Sequence, residues 1–145
     1  MLKTNARGLS LIKEYEGLRL RAYPDPGSGG DPWTIGYGHT SNVHPGQVCT
    51  DAQAEAFLVA DVAGSERSVA RLVAIDLTSN QFSALVSFEY NTGSLEGSTL
   101  LRCVNQRAFA VAVAQFARWV YADGQILPGL VTRRAAEAHL FATPD

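Results

Sequence analysis

The first hydrophobic pattern in the chain is helical and ends at a glycine. Apolar side chains recur at helical spacing between Leu9 and Tyr15, which places them on one face of a helix. Thr4 or Asn5 is suited to cap the start of this helix, and Gly17 is a typical helix stop. The pattern therefore predicts a short amphipathic helix near the N-terminus.

A pair of short strand patterns follows this helix. Residues 20–23 and 33–37 are rich in β-forming side chains, and residues 24–32 between them consist mainly of proline, glycine and aspartate. A segment of that composition forms turns and loops, because proline and glycine interrupt regular structure. These segments predict the one β-hairpin that we expect in the chain.

The rest of the chain has helical patterns. Thr50 and Gln53 form a capping box that opens a long helix to about residue 72, and Thr78 and Gln81 open another to about Asn91. Further helices are expected at residues 98–104, 107–121 and 128–141. The predicted fold class is α+β and predominantly helical, with a small N-terminal β-hairpin lobe and a larger helical lobe. A cleft between two lobes is a usual place for a substrate, and we expect one here.

Length and composition predict one globular domain over residues 1–145. Of the 145 residues, 46% are hydrophobic and 18% are charged, which is enough to bury a core. The formal net charge of −2 provides no attraction for nucleic acid. No stretch has the length of a membrane span, and residues 1–10 lack the apolar centre of a signal peptide. We therefore expect a monomer with no nucleic-acid partner, no stable membrane insertion and no signal peptide.

The charges are unevenly distributed along the chain. Two interpretations stay open for the basic C-terminal third, which has only three acids: the arginines lie on solvated helix faces, or they line a site for an anionic polymer. The basic residues in question are Arg102, Arg107, Arg118, Arg133 and Arg134.

The chain has two cysteines, Cys49 and Cys103, which are far apart in sequence. Their spacing matches no metal-binding pattern, and isolated thiols are typical of a protein made in a reducing cytosol. Whether they pair depends on geometry, so that question stays open at this point.

Two acids and a hydroxyl lie where the first helix meets the predicted hairpin. Glu16 stands at the helix end, Asp25 follows after eight intervening residues, and Thr34 lies in the second strand pattern. Hydrolysis of a glycosidic bond needs one acid that protonates the leaving oxygen and one carboxylate that activates water or attacks the sugar. Glu16 and Asp25 therefore form a candidate catalytic pair. Asp31 competes with Asp25 for the second role, since it lies nearer to Thr34 in sequence.

These residues resemble the phage endolysins of glycoside hydrolase family 24, which include the T-even and lambdoid phage lysozymes. The Glu16–Asp25 spacing and the run Trp-Thr-Ile-Gly-Tyr-Gly-His-Thr at residues 33–40 carry the resemblance. One departure is the stretch between Asp25 and Thr34, which has eight residues where the compact family pattern has five. Insertions in such a loop are well tolerated. Further similar segments lie at residues 87–93, 98–102, 118–121 and 127–137.

The resemblance implies a lysozyme-like two-lobed fold and a muramidase, which hydrolyses the β-1,4 bond between N-acetylmuramic acid and N-acetylglucosamine in bacterial peptidoglycan. Glu16 would be the general acid, Asp25 would hold or activate the water, and Thr34 would help to position it. Arg133 would pair with Glu16 and orient its carboxyl group. We expect inversion at the anomeric carbon, because a water molecule would act between the two carboxyl groups.

Other polar residues have weaker patterns. Glu89, Tyr90 and Asn91 end a predicted helix and are candidate substrate contacts, since sugar binding uses amides and aromatic faces. His39 is interpreted as a structural hydrogen-bonding residue, because the histidines show no metal-ligand spacing. We expect no metal ion and no organic cofactor.

The resemblance also implies a biological setting. It predicts synthesis in the host cytoplasm and action on the periplasmic cell wall after release by a holin, leading to host cell lysis. Two alternatives stay open. A lytic transglycosylase would cleave the same bond with the muramic acid's own hydroxyl, and a virion-associated module would bind or degrade the wall as part of the phage particle.

Overall fold

Six α-helices, one 3-10 helix and four short strands make up the computed structural model, which describes residues 2–145. The predicted α+β, predominantly helical class is confirmed. In chain order the elements are α1 (Ala6–Glu16), β1 (Arg19–Tyr23), β2 (Thr34–Gly36), α2 (Asp51–Leu72), α3 (Ser79–Thr92), α4 (Thr99–Asn105), α5 (Phe109–Gln115), the 3-10 helix (Phe116–Arg118), β3 (Tyr121–Ala122), β4 (Gln125–Ile126) and α6 (Pro128–Ala142).

The helix boundaries follow from local capping. Asn5 caps α1, because its Oδ1 accepts a hydrogen bond from the Gly8 N–H at 2.9 Å. Thr78 begins α3 with the predicted capping box, and α3 ends at Gly93, which has a φ of 62°. Ser98 caps α4 by accepting a hydrogen bond from the backbone of the first turn. The predicted starts of these helices are therefore confirmed.

The chain divides into two compact units. The hairpin unit comprises residues 16–63, and the helical unit comprises residues 2–15 with residues 64–145. In the hairpin unit, β1 and β2 are antiparallel, with Arg19 opposite Gly36 and Tyr23 opposite Thr34. The buried core of this unit consists of Ala22, Ile35, Val43, Cys49 and Ala54, with Trp33, Tyr37 and Phe57 packed against it.

The helical unit is built around α3. Every residue of α3 from Asn80 to Phe88 is buried, except for the half-buried Gln81. A helix that is covered on all sides lies at the centre of a bundle, and α6 packs against it. Phe88 makes edge-to-face contacts with Phe116 at 5.8 Å and with Trp119 at 5.3 Å between ring centroids. Phe116 is fully buried in this core, whereas Trp119 is only half-buried.

One predicted helix is wrong in its second half. The sequence predicted a continuous helix over residues 107–121, but α5 ends at Gln115 and a second hairpin follows, formed by β3 and β4. Asp123 and Gly124 connect its strands with φ values of 51° and 77°. Asp-Gly with both φ values positive is the preferred two-residue hairpin turn. The sequence therefore contained the signal for this hairpin, directly after the alanine-rich segment that predicted a helix.

Both cysteines are buried and free in the structure. Burial raises the pKa of the Cys49 thiol, and the nearby Asp51 carboxylate adds to that effect. The thiolate is the reactive form, so burial of Cys49 lowers the reactive fraction of its thiol.

Candidate active site

Glu16 is the last residue of α1 and is half-buried. The chain leaves the helix at Gly17, which has a φ of 74°. The Oε1 atom of Glu16 lies 3.0 Å from the position that a Cβ atom on Gly38 would occupy. A side chain at position 38 would therefore crowd the carboxyl group, and the absence of one leaves room for it.

The turn that carries Gly38 is held at both ends. Ile35 and His39 exchange two backbone hydrogen bonds of 2.9 Å each. The His39 Nδ1 atom lies 2.8 and 3.0 Å from the two carboxylate oxygens of Asp61, and the imidazole stacks on the Phe57 ring at 4.3 Å. These contacts confirm the prediction that His39 is a hydrogen-bonding structural residue. They attach the turn to helix α2 and thereby fix the position of Gly38 beside the Glu16 carboxyl group.

Asp25 lies in the loop between β1 and β2 and is half-buried. Its Oδ2 atom accepts hydrogen bonds from the N–H groups of Gly27 at 3.1 Å and Ser28 at 3.0 Å. Among the residues that the structure describes, none donates a hydrogen bond to its Oδ1 atom. The loop therefore orients the carboxylate through one oxygen and leaves the other available for a ligand or water.

Thr34 begins β2 and pairs with Tyr23, two residues before Asp25. The register therefore brings Thr34 to the end of the hairpin where the Asp25 loop begins. Asp31 lies farther along the same loop and is exposed, and its carbonyl oxygen accepts a hydrogen bond from the Ser28 hydroxyl at 3.1 Å. Of the two competing aspartates, Asp25 has the carboxylate that the backbone orients.

Glu89, Tyr90 and Asn91 lie at the C-terminal end of α3, in the helical unit. The Oε1 atom of Glu89 accepts a hydrogen bond from the Leu95 N–H at 3.1 Å, so this carboxylate anchors the loop after α3. Tyr90 is half-buried. The Oδ1 atom of Asn91 accepts a hydrogen bond from the Nη2 group of Arg134.

An open pocket of about 480 Å³ adjoins Asn91. Sequence reasoning named Asn91 as a candidate substrate contact and Arg118 among the arginines that could line a site, whereas Trp119 and Tyr121 were noted only as part of a segment similar to the family. The signal that would have found the pocket is the Asp123–Gly124 turn, because the missed hairpin presents Tyr121 there. The lining residues are Asn91, Thr92, Ser94, Arg118, Trp119, Tyr121 and Leu130.

Arg133 is buried, with 3% of its surface exposed. Its Nε atom lies 3.3 Å from the Oε2 atom of Glu137, and its Nη2 atom lies 3.4 Å from both the carbonyl and hydroxyl oxygens of Ser87. The Ser87 hydroxyl donates a 2.6 Å hydrogen bond to the same Glu137 oxygen. Arg133 is thus anchored within the helical unit by α3 and by its own helix.

Arg134 and Glu137 are both fully buried. The Nη1 atom of Arg134 lies 3.1 Å from Oε1 of Glu137, but neither atom is aligned for a hydrogen bond with any group in the described part of the chain. The contact is therefore a close ion pair without hydrogen-bond geometry. Burial raises the pKa of the Glu137 carboxyl and lowers that of the Arg134 guanidinium, and in each case the partner's charge opposes the effect.

Residues 2–145 contain neither a metal-binding cluster nor a membrane-spanning helix. No group of three or more His, Cys, Asp or Glu side chains in that range is placed to hold a metal ion. No helix within the same residues has the length and apolar character needed to cross a membrane.

Comparison with known proteins gives consistent matches over nearly the whole chain. The sequence profile described as phage lysozyme matches residues 13–137. An endolysin of Bacillus phage B103 is 44% identical over 141 residues, which cover 95% of this chain and 53% of that protein. The endolysin of Salmonella phage P22 is 35% identical over 148 residues, which cover 97% of this chain and 99% of that protein.

A solved structure agrees with these sequence matches. The muramidase domain of SpmX from Asticaccaulis excentricus is 39% identical, has a TM-score of 0.91, and is matched over 99% of this chain and 100% of that chain. The chain spans about half the length of the first curated relatives it matches, with 53% and 55% of two Bacillus phage endolysins covered. The expected lysozyme-like fold is confirmed, and the chain belongs to the phage lysozyme family.

Proposed function

We propose that this chain is the single catalytic domain of an endolysin, a muramidase that hydrolyses the β-1,4 bond between N-acetylmuramic acid and N-acetylglucosamine in peptidoglycan. The observation that carries the proposal is the placement of the Glu16 carboxyl group against Gly38, in the unit whose hairpin loop orients Asp25. Membership of the phage lysozyme family supports the reaction and the substrate.

The proposed chemistry is an inverting hydrolysis. Glu16 donates its proton to the glycosidic oxygen as the bond to the anomeric carbon breaks. Asp25 accepts a proton from a water molecule through its Oδ1 atom, and that water attacks the anomeric carbon from the opposite face. Thr34, which begins the strand beside the Asp25 loop, helps to position the water. The products are two glycan ends, one of them a new reducing sugar of inverted configuration.

The proposed substrate surface in the helical unit involves the four residues that the sequence predicted to contact substrate. Asn91 and Tyr90 contact the wall polymer, while Glu89 and Arg133 support that surface through the loop and helix contacts described above. The protein acts as a monomer, is made in the host cytoplasm, and reaches the periplasmic wall after release by a holin. Membership of the phage lysozyme family supports action on the cell wall, and the monomeric state, the holin and the site of synthesis are further parts of this proposal.

Mass spectrometry of digested peptidoglycan tests the reaction. The protein and its Glu16→Gln variant are incubated with purified peptidoglycan, beside a Glu14→Gln control that makes the same change at an exposed position two residues earlier. We expect fragments with ordinary reducing ends from the wild type and from Glu14→Gln, and none from Glu16→Gln.

Other products would contradict the proposal in identifiable ways. Fragments that lack one water molecule, as anhydro sugars, would identify a lytic transglycosylase and remove the role assigned to Asp25. Binding to the wall without any fragments would identify a virion-associated binding module. Proton NMR of freshly released reducing ends tests inversion, since the initial product has the α configuration only if the β bond is inverted.

A further inference from the structure

The pocket beside Asn91 has a distinct chemical character. Arg118 contributes a guanidinium group, and Trp119 and Tyr121 contribute aromatic surface. The Trp119 ring is held by its edge-to-face contact with the buried Phe88, whereas 61% of the Tyr121 surface is exposed. A cation together with aromatic faces suits a ligand that has both an apolar face and oxygen acceptors.

The orientation of the Asn91 amide follows from its neighbour. An arginine guanidinium has only donors, so the amide atom that faces the Nη2 group of Arg134 must be the acceptor Oδ1. The Nδ2 group of Asn91 then points away from Arg134. Asn91 itself lines the pocket, and with Oδ1 engaged by Arg134 the amide atom left for a ligand there is the donor Nδ2.

Arg134 is well placed to enforce that orientation. It is fully buried, its guanidinium lies 5.3 Å from the centre of the Phe88 ring, and its Nη1 atom lies 3.1 Å from the Glu137 carboxylate. A side chain confined by packing and by an ion pair loses little further freedom when it holds a third group. Turning the Asn91 amide over would place its N–H₂ group against the guanidinium donors, which is repulsive.

We propose that Arg134 is a positioning residue that sets Asn91 as a hydrogen-bond donor, and that the pocket thereby binds an acyl oxygen of the wall polymer. This inference rests on the proposed function, because it takes peptidoglycan as the ligand. The acyl oxygen belongs either to an acetamido group of the glycan or to a carboxylate of the attached peptide. Both groups accept hydrogen bonds from Asn91 and Arg118, and the aromatic surface covers the apolar part of the ligand.

Asn91→Asp is the direct test. Aspartate keeps an oxygen for Arg134, so the contact with Arg134 survives, but its second oxygen replaces the Nδ2 donor. Binding is measured by calorimetry in the Glu16→Gln background, which prevents cleavage, with two probes: an N-acetylglucosamine oligomer and a glycan fragment that carries the wall peptide. We expect affinity for the recognised probe to fall about tenfold, as for the loss of a hydrogen bond to a polar ligand.

The two probes identify the source of the oxygen. Weaker binding of both probes assigns the oxygen to an acetamido group, whereas weaker binding of the peptide-bearing fragment alone assigns it to a peptide carboxylate. Gln106→Glu is the matched control, since Gln106 is exposed, lies in the same unit outside the pocket and gains the same negative charge. Unchanged affinity of Asn91→Asp for both probes would overturn the inference, as would failure of both probes to bind the Glu16→Gln protein.

A second variant tests Arg134 itself. Arg134→Met keeps an unbranched side chain beside Phe88 and leaves Glu137 paired with Arg133 and Ser87, while Asn91 loses the group that orients it. In the cleaving protein we expect both Arg134→Met and Asn91→Asp to raise KM severalfold with little change in kcat. A purely structural role would lower the amount of folded protein without that selective change in KM. Cleavage products from the wild-type digestion report on the proposed function separately, so its failure is distinguishable from failure of this inference.

Discussion

The Oε1 atom of Glu16 lies directly beside Gly38, at a point where a Cβ atom on residue 38 would be only 3.0 Å from that oxygen. Gly38 also has a φ of 84°, a conformation that residues with side chains rarely adopt. The glycine therefore serves two purposes: it allows the turn, and it makes room for the proposed general acid.

Gly38→Ala should reduce hydrolysis more than it reduces stability. We expect activity to fall by roughly 10²-fold, since a displacement of about 1 Å at a reacting group can cost that much. Gly46→Ala is the matched control, because Gly46 has a φ of 82° in the same unit and nothing lies within 4 Å of the position that an added Cβ atom would take. Both variants should lose about 1 kcal/mol of unfolding free energy through backbone strain, measured by urea denaturation. Equal activity in the two variants would show that Glu16 does not need the space.

Asp25→Asn should abolish most of the activity, whereas Asp31→Asn should not. The amide cannot accept a proton from water, so we expect a loss of about 10²- to 10⁴-fold in turnover, the usual contribution of a general base. Asparagine keeps an oxygen for the Gly27 and Ser28 N–H groups, so the loop should retain its conformation. Turnover of peptidoglycan fragments by the two variants is the measurement. A larger loss in Asp31→Asn would reassign the second carboxylate.

Gly8→Ala should destabilise the protein although it lies inside a helix. An added Cβ atom would lie 2.6 Å from the Cβ of Ser83 and 2.8 Å from the Cγ2 of Thr4. We expect a loss of about 1–3 kcal/mol from this overpacking, measured as unfolding free energy. Gly64, inside α2, has only the flexible end of Arg67 near its Cβ position, at 3.8 Å. Gly64→Ala should therefore gain up to about 1 kcal/mol from helix propensity, and a gain of similar size in both variants would contradict the packing argument.

Glu137 should make the protein less stable as the pH rises. Burial raises its pKa above the ordinary value of 4.5, so between that value and its native pKa the folded protein binds more protons than the unfolded chain. The unfolding free energy then falls with increasing pH across this window, and the cost is fully present above the native pKa. Glu137→Gln removes the titration while keeping an oxygen for the Ser87 hydroxyl and for Arg133.

Denaturation of the wild type and of Glu137→Gln between about pH 4 and pH 8 isolates this effect, because the other titrating groups are common to both proteins. Relative to the variant, the wild type should lose stability as the pH rises above 4.5. Any overall destabilisation of the variant, which leaves two buried arginines without a full countercharge, adds a constant and does not change the slope. A difference that is independent of pH would show that Glu137 has its ordinary pKa.

Local signals in the sequence determined most of the secondary structure. The capping boxes at Thr50 and Thr78 and the glycine stop at Gly93 predicted helix ends that the structure confirms, because each depends on side chains within one turn. The loop between β1 and β2 was equally predictable from its proline and glycine. The hairpin at Asp123–Gly124 was missed, since the helical pattern before it was followed to residue 121 and the Asp-Gly turn signal was not considered.

The five arginines of the C-terminal third show what the sequence alone could not decide, which is whether each side chain is exposed or buried. They were predicted either to be solvated or to line a site for an anionic polymer, and the structure divides them: Arg102 and Arg107 are exposed, Arg118 lines a pocket, and Arg133 and Arg134 are buried. Adjacent residues such as Arg133 and Arg134 have the same local pattern as a surface pair. Their burial depends on Glu137 and on partners from α3, 43 to 46 residues away in sequence, which only the packing of helices brings together.

The sequence by itself determined the family, the fold class and the candidate acids, because these depend on residue types at short, ordered spacings that the chain displays directly. Tertiary structure alone decided that Gly38 adjoins Glu16 and that Arg134 donates a hydrogen bond to Asn91. Each of these relationships depends on the position of one atom relative to another within about an ångström. Such precision arises only when segments distant in sequence pack together at close to crystalline density.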